Sequence, residues 1–214
     1  ITEDITINGH GFTISGNNTV REFHIETDST VTLNNITFAN GNATDGGAIY
    51  GGYSYGGIAI NDCTFENNNA TNGGAIFNGW MSLTVDNNIF KNNDAKTGGA
   101  IYHEGAEGAN VKISNSTFEE NTAKNATSIF MNCDSLFLEN NTINTESAGI
   151  VIGEYVTVKT PVTITVLDGK NVPVKGGEEV TLYATIVDDK GNLIYAVLPK
   201  FTVTGKSDPI ATTP

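Results

Sequence analysis

Of the 214 residues only 16% are charged, and 24 Asp and Glu against 11 Lys and Arg give a formal net charge of −13. A field of that sign repels phosphate backbones and anionic lipid, so nucleic acid is excluded as an expected partner. The polar share is carried by Asn, Thr, Ser and 24 Gly, the composition of a turn-rich β protein and not of a disordered chain.

No apolar run approaches the roughly 18 residues of a membrane span, so no direct membrane insertion is expected of this segment. Ile1 belongs to no signal sequence, and the chain reads as a mature portion whose leader or anchor would lie elsewhere. Two cysteines, Cys63 and Cys133, lack the paired spacing of a zinc or redox site. Both read as small interior residues.

The chain opens on an alternating strand, Ile5-Thr6-Ile7, and that pattern returns at Val31-Thr32-Leu33, Ile58-Ala59-Ile60, Leu83-Thr84-Val85, Val111-Lys112-Ile113 and Leu136-Phe137-Leu138. A second series, Phe38, Phe65, Phe90, Phe118 and Ile143, steps by 27, 25, 28 and 25. A third is Gly-Gly-Ala-Ile at 46–49, 73–76 and 98–101, degenerating to Thr127-Ser128-Ile129-Phe130. Three markers keep one period, so each repeat holds three short strands separated by Asn, Gly, Thr and Asp turns. That is one turn of a triangular solenoid. The predicted fold is all-β, a right-handed parallel β-helix of about six coils over residues 1–158, stacked at about 4.8 Å per rung.

Directly after each alternating strand stands Asn35, Asp62, Asn87, Asn115 or Asn140. These predict a structural corner ladder, in which stacked amides tolerate the corner conformation and hydrogen-bond along the rod. A second ladder, Asn68, Asn93 and Asn121, follows the phenylalanines by three residues and is broken by Gly41 in the coil before. The Gly pairs predict positive φ and close coil-to-coil approach.

These residues resemble the repeats of chlamydial polymorphic outer-membrane proteins, which combine Gly-Gly-Ala-Ile with Phe-x-x-Asn, here at 65–68, 90–93 and 118–121. They resemble still more the adhesin-like surface proteins of methanogenic archaea, and Ile5-Thr-Ile-Asn-Gly-His-Gly-Phe-Thr-Ile14 is similar to the first coil of that group. The resemblance implies an extracellular, cell-surface protein whose partner is a glycan or protein on another cell. Its motifs are architectural and carry no chemistry.

Beyond Thr160-Pro161 the period is lost. Alternating runs at 162–167, 179–187 and 200–204, with turns at Asp168-Gly169, Gly176-Gly177 and 189–192, predict a second module over 159–214 with antiparallel strands. It resembles the start of an immunoglobulin-like repeat, although about 100 residues would complete such a sandwich. Asp188-Asp189 beside Asn192 is read as a solvated hairpin turn and not as a calcium site.

Pectin-type hydrolysis or elimination needs clustered carboxylates, or a bound calcium beside a basic residue. The carboxylates Asp45, Asp94, Glu104, Glu107, Glu119 and Glu120 fall in turns without a matching set in adjacent coils. Arg21 is the single arginine, and His10, His24 and His103 sit in different coils, His24 and His103 about 14 Å apart. No catalytic residue, metal site or cofactor is predicted. A carbohydrate-active enzyme and a non-binding spacer are the competing readings.

The candidate binding residues are aromatic. Tyr50, Phe77, Tyr102 and Phe130 each follow an inward isoleucine, so alternation points them outward as a stripe. Tyr53, Tyr55 and Trp80 lie in adjoining loops and extend it. Flat rings on a rigid platform suit sugars or a partner protein, unless the loops fold back and bury the stripe. Seven Asn-x-Ser/Thr sequons begin at Asn17, Asn35, Asn42, Asn69, Asn115, Asn125 and Asn140; the three on the corner ladder are expected to be sterically unavailable.

Overall fold

A computed structural model describes residues 1–26, 28–105, 108–144, 149–153, 156–158, 163–166 and 184–196. Among these every regular element is a β-strand, and the chain winds as a parallel β-solenoid of about five turns. The alternating strands pair in parallel along one side: Ile5↔Val31↔Ile58↔Leu83↔Val111↔Leu136↔Val158. The Phe strands form a second side through Phe38↔Phe65↔Phe90↔Phe118↔Ile143. The Gly-Gly-Ala-Ile strands form a third through Phe23↔Ile49↔Ile76↔Ile101↔Ile129↔Ile150. The opening strand, Ile5–Ser15, runs through two sides with a register shift between Asn8 and Phe12, so the first turn is irregular.

Alternation decides what each rung buries. Val31, Leu33, Ile60, Leu83, Val85, Ile113 and Leu136 are fully enclosed, while Lys112, between the buried Val111 and Ile113, faces solvent. Because parallel pairing sets equal positions one rung apart, like side chains meet. Phe65 and Phe90 stack at 4.8 Å and 4°, and Phe90 and Phe118 at 4.7 Å and 3°. Each such ring accounts for about 2 to 3 kcal/mol by burial alone.

Two internal hydrogen-bond ladders hold the corners. The second one predicted runs through the interior: Asn68 Oδ1 accepts the Gly41 N–H at 2.8 Å, and Asn121 Oδ1 accepts the Asn93 N–H at 3.0 Å. Each amide group also donates to the carbonyl of the preceding coil's Phe, Asn93 Nδ2 to Phe65 O at 3.0 Å. Gly41 breaks the column because the Glu22 carboxyl occupies that space, and a Cβ on Gly41 would collide with it. Glu22 Oε1 accepts the Gly16 N–H at 3.0 Å and so ends the ladder in its first coil.

The corner series behaves differently from the expectation. Asn35, Asp62, Asn87, Asn115 and Asn140 all have φ between 51° and 56°, the left-handed conformation that Asn and Asp tolerate. Their side chains, however, are exposed. Asn87 bonds Asp62 at 2.6 Å and Asn140 bonds Asn115 at 2.8 Å, but Asn115 turns to Asp86. Positive φ points the corner side chain out of the rod, so the sequons at Asn35, Asn115 and Asn140 are open and not sterically closed as expected.

The enclosed groups at this corner are the next residues. Asn88 Oδ1 accepts the Cys63 N–H at 2.8 Å, Ser116 Oγ accepts the Asn88 N–H at 3.1 Å, and Asn141 Oδ1 accepts the Ser116 N–H at 3.0 Å. Cys63 Sγ continues the column to the Ile36 N–H at 3.4 Å. Cys63 and Cys133 are buried, unpaired thiols, and burial pushes the Cys133 thiol up to about 12.

At the Gly-Gly corner Gly46, Gly73 and Gly98 have φ of 61° to 62°, and the following glycines let coils touch. A Cβ on Gly74 would strike the carbonyl oxygen of Gly99.

In the tail, Thr163–Val166 pairs antiparallel with Ala184–Val187, which pairs antiparallel with Leu193–Ala196. Leu193–Ala196 then pairs in parallel with Ile150–Ile152, and Ile194 joins the solenoid core. The tail strand therefore extends the third side by one rung. The turn before it docks on the last corner, with Asp189 Oδ2 accepting the Asn140 N–H at 3.0 Å and Asn192 Nδ2 donating to Asn141 O at 2.9 Å. Asp188 is not solvated as expected but buried, its carboxylate accepting the N–H groups of Lys190 and Asn192. The run at 200–204 and the turns Asp168-Gly169 and Gly176-Gly177 lie outside the described residues.

Candidate functional site

Tyr50, Phe77, Tyr102 and Phe130 pair rung to rung on the outer face of the third side. Successive rings stack face to face: Tyr50 and Phe77 at 5.2 Å, Phe77 and Tyr102 at 5.3 Å, Tyr102 and Phe130 at 5.0 Å, all within 10° of parallel. The stack uses up the ring faces. Phe77 is only 3% exposed and the other three are half-buried, so the stripe offers ring edges and not an open platform.

The open rings belong to the loops. Tyr55 is 73% exposed, Tyr53 44% and Trp80 37%. Tyr53 lies edge-on to Phe77 at 6.3 Å and to Trp80 at 5.3 Å, and Tyr55 is tilted against Trp80 at 6.0 Å. The loop of Tyr53 and Tyr55 thus covers Phe77 and carries aromatic surface outward in its place.

Backbone bonds from coil to coil fix these loops. The Gly52 N–H reaches Ile25 O at 2.8 Å, the Gly79 N–H reaches Gly51 O at 2.8 Å, and the Trp80 N–H reaches Gly52 O at 3.2 Å. From the enclosed side Asn78 Nδ2 donates to Met81 O at 2.6 Å. Gly79 is required, since a Cβ there would press on Gly52 O and on the Tyr53 ring. Rings held by backbone ladders lose little freedom on binding.

The surroundings are anionic. Tyr53 Oη donates to Glu104 Oε2 at 3.0 Å, and the Tyr55 N–H donates to Asp28 Oδ1 at 3.0 Å. Glu26 Oε2 lies 3.2 Å from His24 Nε2, and the His24 ring stands edge-on to Tyr50 at 4.9 Å. Glu26, Asp28 and Glu104 are exposed. Arg21 lies with its guanidinium carbon 4.8 Å from the Tyr50 ring centre, tied to the carbonyls of Asp45 and Gly46. Burial, then the Glu104 hydrogen bond, pushes the Tyr53 phenol up to about 12. The Tyr53 phenol is a neutral donor at any ordinary pH.

His24 and His103, expected near one register, point to opposite faces. His24 continues the outer stripe, whereas His103 is fully buried with Nδ1 2.8 Å from Asn78 Nδ2. Burial draws the His103 imidazole down to about 4. Of the carboxylates considered for acid chemistry, Glu104 belongs to the aromatic cluster, Asp94 to the opposite corner beside Asn69 at 3.1 Å, and Glu107 lies outside the described residues.

Residues 62–79 match the Chlamydia polymorphic membrane protein repeat. That stretch runs from the corner Asp62 through Phe65, Asn68 and Gly73-Gly74-Ala75-Ile76 to the edge of the aromatic cluster at Gly79. No curated protein and no solved structure matches the chain.

Proposed function

We propose that the chain is an extracellular, adhesin-like module that attaches one cell surface to a glycan or protein on another, through the exposed Tyr53, Tyr55 and Trp80. The observation that supports this reading most is the combination of exposure and rigidity in those rings. Unprotected aromatic clusters are uncommon on domains without a partner, and preorganised ones bind at low entropic cost. The resemblance of residues 62–79 to the membrane-protein repeat is consistent with a surface location.

Crossovers between parallel strands favour a right-handed coil. The wider resemblance is to adhesin-like proteins of methanogenic archaea, with the segment 159–214 as an immunoglobulin-like module that belongs to a stalk. No catalysis is assigned: attachment needs only a surface, and repeated display on a cell would raise its avidity.

The test is binding of the purified chain to whole cells and to arrayed glycans, beside a Trp80→Ala/Tyr55→Ala variant shown by circular dichroism to keep its fold. Loss of binding in the variant supports attachment through the cluster; equal binding by both proteins refutes it.

A further inference from the structure

The rings that remain open are surrounded by three carboxylates from two places in the fold: Glu26 and Asp28 after the first third-side strand, and Glu104 three coils further along. Within this surface Arg21 is turned onto Tyr50 and onto two carbonyls, so among the described residues Asp28 and Glu104 have no ion-pair partner and Glu26 faces only His24, 3.2 Å away.

The size of the apolar surface argues for a small ligand unit. Three partly exposed rings offer on the order of 300 Å², well below the roughly 800 Å² that each partner of a stable protein complex buries. Around them lie glycines and polar atoms: Gly51, Gly52 and Gly79 keep the floor low, and Glu104 and Asp28 present acceptor oxygens beside the rings. Ring faces for sugar C–H groups and carboxylate acceptors for hydroxyls are what an uncharged pyranose requires.

Resting on the attachment reading above, we infer that this cluster is a receptor for neutral glycans, and that Glu26, Asp28 and Glu104 are specificity-determining residues that exclude glycans bearing carboxylate or sulfate. A carboxylate placed on the rings would face three like charges, with no Lys or Arg ion-paired to them among the described residues. Such repulsion is weakened by salt, because the groups are exposed.

The experiment uses the whole chain and a panel of neutral oligosaccharides, gluco-, manno-, galacto- and xylo-configured, each printed beside an acidic counterpart with uronate or sulfate. The expected result is binding to at least one neutral member, at least tenfold weaker binding to its acidic partner at low salt, and a narrowing of that gap in 0.5 M salt. In a Glu26→Gln/Asp28→Asn/Glu104→Gln variant the gap should close, while Trp80→Ala should abolish neutral binding. Acidic members bound as well as neutral ones, or a gap unchanged in the triple variant, overturns the inference. Trp80-dependent binding to cells with no neutral oligosaccharide bound also overturns it, yet leaves attachment standing and points to a protein partner. Cell binding that is indifferent to Trp80→Ala removes both.

Discussion

Asn93 Oδ1 accepts two hydrogen bonds from Asn68, one from its backbone N–H at 3.1 Å and one from its side-chain Nδ2 at 3.0 Å. A single oxygen thereby serves the neighbouring coil's main chain and its ladder side chain together. Asn93 is fully buried, so no water replaces either bond. Asn93→Ala would leave the Asn68 backbone N–H and one side-chain N–H of Asn68 without their acceptor. At about 1 to 3 kcal/mol for each buried group left unsatisfied, the loss should be roughly 3 kcal/mol or more. Chemical denaturation should show it, and a loss under 1 kcal/mol would mean that the ladder is dispensable.

Ala126 occupies the place that Gly98 holds one coil earlier, with φ of 54° against 62°. A side chain in the left-handed region costs about 1 to 2 kcal/mol, and glycine relieves it at some expense in unfolded-chain entropy. Ala126→Gly is therefore expected to stabilise the protein by about 0.5 to 1 kcal/mol, read as a higher denaturation midpoint. The reverse change in an earlier coil, Gly98→Ala, should destabilise it. A destabilised Ala126→Gly would contradict the assigned corner geometry.

Two titratable groups, the half-buried Glu22 and the buried His103, set opposite pH limits. Burial raises the Glu22 carboxyl from 4.5 to about 7, against the smaller pull of its hydrogen bonds. Its stabilising contribution is complete below about 4.5 and is lost as pH rises through 7. Burial lowers His103 from 6.5 to about 4, so its contribution is complete above 6.5 and is lost as pH falls toward 4. Glu22→Gln, which keeps an acceptor for the Gly16 N–H, should flatten the loss of stability between pH 4.5 and 7. His103→Met, matching its stack neighbour Met131, should lessen the loss between pH 6.5 and 4. Parallel stability curves for variant and parent would count against either assignment.

The period, the three strands per turn and the enclosed Phe and Ile columns were legible because identical side chains recur at fixed steps. Asn68, Asn93 and Asn121 were legible for the same reason. The column Cys63, Asn88, Ser116 and Asn141 was not, since thiol, amide and hydroxyl share only the ability to accept a hydrogen bond. Chemical function repeats there while residue identity does not. A search for buried acceptors one residue after each positive-φ corner would have found it.

The aromatic site was legible in composition and not in geometry. Alternation placed Tyr50, Phe77, Tyr102 and Phe130 on the outer face, but ring-on-ring stacking and the loop of Tyr53 decide which rings remain open. Those are contacts between coils, and no local pattern encodes them. The docking of Leu193–Ala196 on Ile150–Ile152 was hidden for a related reason: it joins segments across the point where the period is lost.

The proposed attachment surface is the loop aromatics and not the stacked stripe. The most direct measurement compares whole-cell and glycan-array binding of the parent chain, Trp80→Ala/Tyr55→Ala and Tyr102→Ala/Phe130→Ala, with circular dichroism verifying each fold. The first variant should lose binding at least tenfold while the second retains most of it. Full binding by the first variant, or loss confined to the second, would rule out attachment through the loop aromatics.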